Sequence, residues 1–155
     1  MITESYDYIA LGDKPYYYFQ SEGEQGKIIK IVTFSRLKNR YWNLGFGDLQ
    51  GNKINGTVVS NNHDIVKLIS TVAKIAYEFS DKFPRRGIKV NPIDEKRKRL
   101  YNHVFCRNYD AISVNFNIIG VRNAVSEKYS LGRDYDKFRL KRKFVEWKIQ
   151  KEVEQ

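Results

Sequence analysis

The chain has one cysteine, Cys106, and two histidines, His63 and His103, in 155 residues. A single thiol excludes an intrachain disulfide and leaves a cysteine-based zinc site short of ligands. The histidines lie forty residues apart without metal-ligand spacing, so no metal and no cofactor is expected. Nowhere are there the roughly 18 consecutive apolar residues needed to span a bilayer. The opening MITESYDYIALGDK has neither a basic start nor a continuous apolar run, which argues against a signal peptide. A cytoplasmic protein, away from membranes, is the expectation. No internal repeat, low-complexity linker, Gly-x-x-x-x-Gly-Lys-Ser/Thr phosphate loop or Asp/Glu-x-Lys nuclease core occurs.

Positive charge is abundant. The formal net charge is +10, and such a chain attracts polyanions over a Debye length of about 10 Å. Nucleic acid is the first partner this implies, although surplus lysine also serves solubility. With 41% hydrophobic and 14% aromatic residues the chain can bury a core despite 30% charge, which excludes global disorder. Its length fits a single domain, residues 1–155.

The first third reads as sheet. Tyr16–Gln20, Lys27–Leu37, Tyr41–Phe46 and Lys53–Ser60 are rich in aromatic and β-branched residues, with turn signals at the glycines of residues 21–26, at Lys38-Asn39-Arg40 and at Gly51-Asn52. A four-stranded antiparallel meander is the simplest arrangement. From Ile65 the period becomes helical: Ile65, Leu68, Ile69, Val72, Ala76, Phe79 and Phe83 fall on one face, with Asn62 as cap, Asp64 at the positive end of the dipole and Pro84 as stop. Gly87–Asn91 reads as a short strand. Asp94 caps a second helix with Leu100, Tyr101, Val104 and Phe105 inward, and a brief helix carries Ile112 and Phe116. Asn117–Val121 and the segment 135–143 complete the strands, the latter alternating Phe138 and Leu140 with basic residues as a charge-guarded edge strand does. Residues 144–155 read as an appended amphipathic helix. The fold class is therefore α+β: an antiparallel sheet, an N-terminal meander plus later strands, with two main helices packed on one face.

Several motifs recur together in order: Leu44-Gly45-Phe46-Gly47-Asp48-Leu49, Val59-Ser60-Asn61-Asn62, the helix end from Tyr77 to Pro84, Arg97-Lys98-Arg99-Leu100-Tyr101, the spaced Phe116 and Gly120, and a Tyr-x-x-Phe segment beginning at Tyr135. In these the chain resembles a family of small uncharacterised bacterial proteins, from Tyr16 to Lys143. The resemblance implies no catalytic residue. Where that family has Gly-Ser-Thr before the arginines, this chain has Pro92-Ile93-Asp94, which preserves the cap and loses the flexible glycine.

Two basic clusters are the candidate sites. Around the second helix, Lys96, Arg99, His103 and Arg107 share one face, while Arg97 falls toward Tyr101 and Val104; guanidinium groups near a helix N-terminus suit phosphate. The same pattern fits a solvated stripe, with Arg97 paired to a carboxylate such as Asp48 or Asp64. In the second cluster Arg139, Lys141 and Arg142, with Arg133, Lys137 and Lys143, interleave with Tyr135, Phe138 and Phe144, as in proteins that neutralise phosphates and stack bases. It equally fits an edge guard over a core strand. Asp48, Asp64, Glu78 and Asp81 are the carboxylates a metal nuclease would need, but Asp48 after Gly45-Phe46-Gly47 reads as a turn acceptor. Cys106 reads as a small buried hydrophobe.

The leading expectation is a non-catalytic module that binds RNA or DNA through one positive surface made by both clusters. Alternatives are a component of a toxin-antitoxin or phage-defence pair docking an acidic protein, and an RNase-like toxin using Arg97, Arg99 and His103. Homodimerisation through the strand edge at Tyr16-Tyr17-Tyr18 is also open.

Overall fold

A computed structural model of the chain describes residues 4–50, 53–55 and 63–143. Its sheet contains β1 (Tyr8–Ala10), β2 (Tyr16–Gly23), β3 (Gly26–Arg36), β4 (Tyr41–Gln50), β5 (Lys53–Asn55), β6 (Gly87–Val90), β7 (Phe116–Arg122), β8 (Val125–Lys128) and β9 (Lys137–Arg142). Among the described residues three helices accompany them: α1 (Ile65–Lys82), α2 (Glu95–Arg107) and α3 (Tyr109–Ser113). The strands run in the order β1-β2-β3-β4-β6-β9-β7-β8, with β5 paired to β4 off this path. The expected α+β class and the meander β2-β3-β4-β5 are present, and the meander is antiparallel throughout.

One pairing departs from an antiparallel sheet. β6 runs parallel to β4, in the register Tyr41↔Gly87, Trp42↔Ile88 and Asn43↔Lys89. A parallel neighbour needs a crossover, and the connection containing α1 supplies it. Two expectations about edges are corrected. β9 lies inside the sheet, hydrogen-bonded to β6 on one side and β7 on the other, so its alternating charges guard no edge. β2 is enclosed between β1 and β3, so Tyr17 and Tyr18 do not lie on an open strand edge.

The core forms where the helices meet aromatic strand residues. Phe79 of α1 stacks on Phe34 of β3 with ring centroids 3.9 Å apart, beside Trp42 of β4. Phe105 of α2 stacks on Phe138 of β9 at 4.1 Å, and Tyr129 and Tyr135 pack around them. Tyr135 lies flat on β7 only because Gly120 has no side chain; a Cβ there would come within 2.3 Å of the ring. Asn102 of α2 clamps the same residue, donating to the Tyr135 carbonyl at 2.9 Å and accepting its N–H at 2.8 Å. This bond pair sets where β9 begins.

Asp64 occupies the N-cap of α1 without capping it. Its carboxylate accepts hydrogen bonds from the hydroxyls of Tyr6 at 2.6 Å and Ser21 at 2.5 Å, tying the segment before β1 to β2. Asp94 does cap α2, accepting from the Arg97 N–H at 2.8 Å. Asp48 is not a turn acceptor: it sits within β4, 1% exposed, ion-paired with Lys30 of β3, which is itself wholly buried. Cys106 is exposed rather than buried, because it falls on the helix face of Arg99 and His103. Phe116 belongs to β7 and not to the brief helix. The Asn62 cap, the turn at Gly51-Asn52 and the helix expected over 144–155 lie outside the described residues.

Candidate functional site

Successive residues of a strand leave the sheet on opposite sides, and partners across a ladder share a side. In β9, Phe138 and Leu140 face the core, so Lys137, Arg139 and Lys141 emerge on the other side. The register carries this side across the sheet. Arg139 lies between Lys89 of β6 and Ile119 of β7, and Ile119 in turn faces Lys128 of β8. Lys141 pairs with Asn117, and Lys137 with Val121. Among the described residues, this side of β6, β7, β8 and β9 holds five basic side chains, Lys89, Lys128, Lys137, Arg139 and Lys141, and no carboxylate.

Tyr41, at the start of β4, completes the group. Its parallel partner is Gly87, and the ring spreads over that glycine so closely that a Cβ there would come within 2.6 Å. The missing side chain thus lets Tyr41 reach across β6. The Arg139 guanidinium and the Lys141 ammonium lie 5.3 Å and 5.4 Å from its ring centroid, within cation–π range. Among the described residues the buried Nε of Arg139 meets no hydrogen-bond partner. Lys89 is held below the usual lysine pKa, first by desolvation and then by the charges of Lys137 and Arg139. The site is therefore a crowd of like charges, which a bound anion would relieve.

That crowding has a measurable consequence. Lys89→Met is expected to raise Tm slightly at low salt, on the order of 1 °C, while weakening any polyanion bound at this face. Calorimetry and a binding titration on the same variant check the two signs; a fall in Tm would show that Lys89 is not repelled by its neighbours.

The other expected residues are placed differently. Lys96, Arg99, His103 and Arg107 are exposed on α2. Since α2 packs through Phe105 against Phe138, Arg139 and Lys141 point away from it. Arg97 is paired with Asp94 of its own cap. Arg142 faces α1, donating to the Ser80 hydroxyl and the Tyr77 phenol, each at 2.9 Å, and lying 3.6 Å from Asp81. Arg133 bonds Glu127 at 2.8 Å. Tyr135 and Phe138, read as stacking aromatics, are both 0% exposed and belong to the core.

Tyr41, Lys89 and Lys128 escaped the sequence reading. A signal for Lys89 exists in Gly87-Ile88-Lys89-Val90, whose alternation separates a glycine and a lysine from two aliphatics. Nothing local announces Tyr41, whose role depends on a parallel pairing across α1. Among the described residues no group of three or more His, Cys, Asp or Glu side chains is arranged to hold a metal ion, and no helix is long and apolar enough to cross a membrane.

A model of a family of unknown function (DUF6934) matches residues 2–143. No curated protein and no solved structure matches the chain.

Proposed function

The chain belongs to this family of unknown function, and from the chemistry of its own site we propose that it is a non-catalytic module binding single-stranded nucleic acid, RNA first, across the sheet face of Tyr41, Lys89 and Arg139. The observation that carries this reading is the grouping itself: five basic side chains and no carboxylate on four adjacent strands, two of the cations against an exposed-side tyrosine.

Each part has a task in such a complex. The lysines neutralise backbone phosphates as mobile point charges, while Arg139 offers a planar fork. Bases splayed from a single strand stack on aromatic rings or on a guanidinium plane, which Tyr41 and Arg139 present side by side. A duplex would not expose its bases to them. We further infer that both helices lie on the opposite side of the sheet, leaving this one to the ligand. Phe34, which α1 covers, and Phe138, which α2 covers, are linked by the ladder partners Leu44, Trp42, Ile88, Leu140 and Val90, which alternate onto the same side.

Anisotropy titrations with labelled oligouridylate and with duplex DNA test the proposal. Oligouridylate is expected to bind more tightly, and the affinity to fall with salt at a logarithmic slope of about −2 to −3, as three or four phosphate contacts on a single strand require. No oligouridylate binding at about 50 mM salt, or binding indifferent to salt, overturns it.

A further inference from the structure

Where this face ends, the topology gathers a second set of cations. Parallel pairing of β4 with β6 and antiparallel pairing of β6 with β9 bring the start of β4, the start of β6 and the end of β9 to the same end of the sheet. A cavity of about 370 Å³ opens there, lined by Arg40, Arg85, Lys141 and Arg142 together with Asn39 and Gly87. That volume is near the lower end for small-ligand sites, roughly 300–1,000 Å³. Among the described residues no carboxylate lines it, though Asp81 lies against Arg142.

We propose that this cavity binds a terminal phosphate monoester, the phosphorylated end of the strand that lies along the neighbouring face. The inference rests on the nucleic-acid reading above and adds the class of end that is recognised. An internal phosphodiester carries one negative charge, whereas a monoester carries about 1.5 to 2 at neutral pH and three acceptor oxygens. Four basic residues lining one small cavity, of which Arg142 also meets Asp81 at 3.6 Å, suit the more highly charged monoester.

The four are not equivalent. Arg142 is held in place by Ser80 and Tyr77, each at 2.9 Å, with Asp81 at 3.6 Å, so its guanidinium is already oriented when an anion arrives and part of its charge is already met. Arg40 and Arg85 are exposed and form no ion pair among the described residues. Lys141 lines the cavity and also lies 5.4 Å from the Tyr41 centroid, so the cavity and the face share a residue. A strand seated on Tyr41 therefore ends in the cavity without a gap.

Arg40 makes a clean test feasible. It follows Asn39 in the turn between β3 and β4, with φ values of 61° and 63°, a conformation in which glycine is the ordinary residue at the second place. Arg40→Gly removes the charge and gives the turn the residue it favours, so lost binding cannot be ascribed to lost folding.

The experiment compares oligouridylates of one length bearing a 5′-phosphate, a 3′-phosphate or hydroxyls at both ends, with inorganic phosphate as a separate probe. One phosphorylated end is expected to bind about tenfold or more tightly than the hydroxyl-ended strand. Arg40→Gly with Arg85→Gln should erase that gain without changing hydroxyl-ended binding, whereas Arg139→Gln should weaken all three strands alike. Equal affinity for all three ends, with salt-dependent strand binding intact, overturns the cavity and leaves the face. If no strand binds, the face reading fails, and inorganic phosphate decides for the cavity. Amide shifts at Arg40 and Gly87 that vanish in the double variant support a monoester site, and their absence overturns it.

Discussion

Asp48→Ala is expected to cost about 3–5 kcal/mol, a large share of the roughly 5–15 kcal/mol that holds a domain of this kind together. Lys30 and Asp48 face each other in the β3–β4 register, at 0% and 1% exposure, and are ion-paired, with the Phe46 ring 6.0 Å from the ammonium. Two charges removed from water are tolerable while each compensates the other. Removing the carboxylate takes its ion-pair partner from a buried ammonium, whose desolvation is then less well compensated. Lys30→Met is expected to be damaging for the mirror reason. The double variant Lys30→Met/Asp48→Leu should cost clearly less than the two single losses added, because both members of the pair are removed together. Urea denaturation of the four proteins supplies the cycle; a loss under about 1 kcal/mol for Asp48→Ala would show that water reaches the pair. The pair also guards the register. A slip of one residue would turn Asp48 to the other face, and with it Tyr41 at the opposite end of the same strand.

Local features were legible wherever local chemistry decides them. α1 announced itself by the spacing from Ile65 to Phe79 and by Pro84, and α2 by Asp94, because caps and periodicity act over a few residues. β9 was legible as a strand but not in its place. A run that alternates Phe138 and Leu140 with Lys137, Arg139 and Lys141 looks the same at a charged edge as in the middle of a sheet with one polar face. Only the crossover through α1, which seats β6 beside β4 and leaves its far side for β9, distinguishes the two. The same long-range event gathers Tyr41, Lys89 and Arg139, which explains why the tyrosine was missed and why Tyr135 and Phe138 were read as the stacking rings. Cys106 is a different kind of miss. Its spacing of three from His103 and seven from Arg99 puts it on the solvent side of α2, where helical register overrides the ordinary preference of cysteine for the interior.

Because Arg139 and Lys141 face away from the side of the sheet that α2 packs on, charge reversal can separate them from the basic residues of α2. Arg139→Glu with Lys141→Glu is expected to weaken oligouridylate binding by about a hundredfold or more and to flatten the logarithmic salt slope by about 1.4, two phosphate contacts on a single strand. Both side chains stand away from Phe138 and Leu140, so the core beneath them is untouched and Tm should hold. Lys96→Glu with Arg99→Glu makes the same change in net charge on exposed positions of α2. If attraction to the whole molecule were enough, the two pairs would lose affinity equally. A site on the sheet requires the α2 pair to bind within about threefold of the parent at moderate salt, where distant charges are screened beyond roughly 10 Å. Equal losses would reduce the site to a diffuse positive field, and a larger loss from the α2 pair would move the interface to the helix. The contrast between the pairs, read at two salt concentrations, therefore locates the contact as well as measuring it.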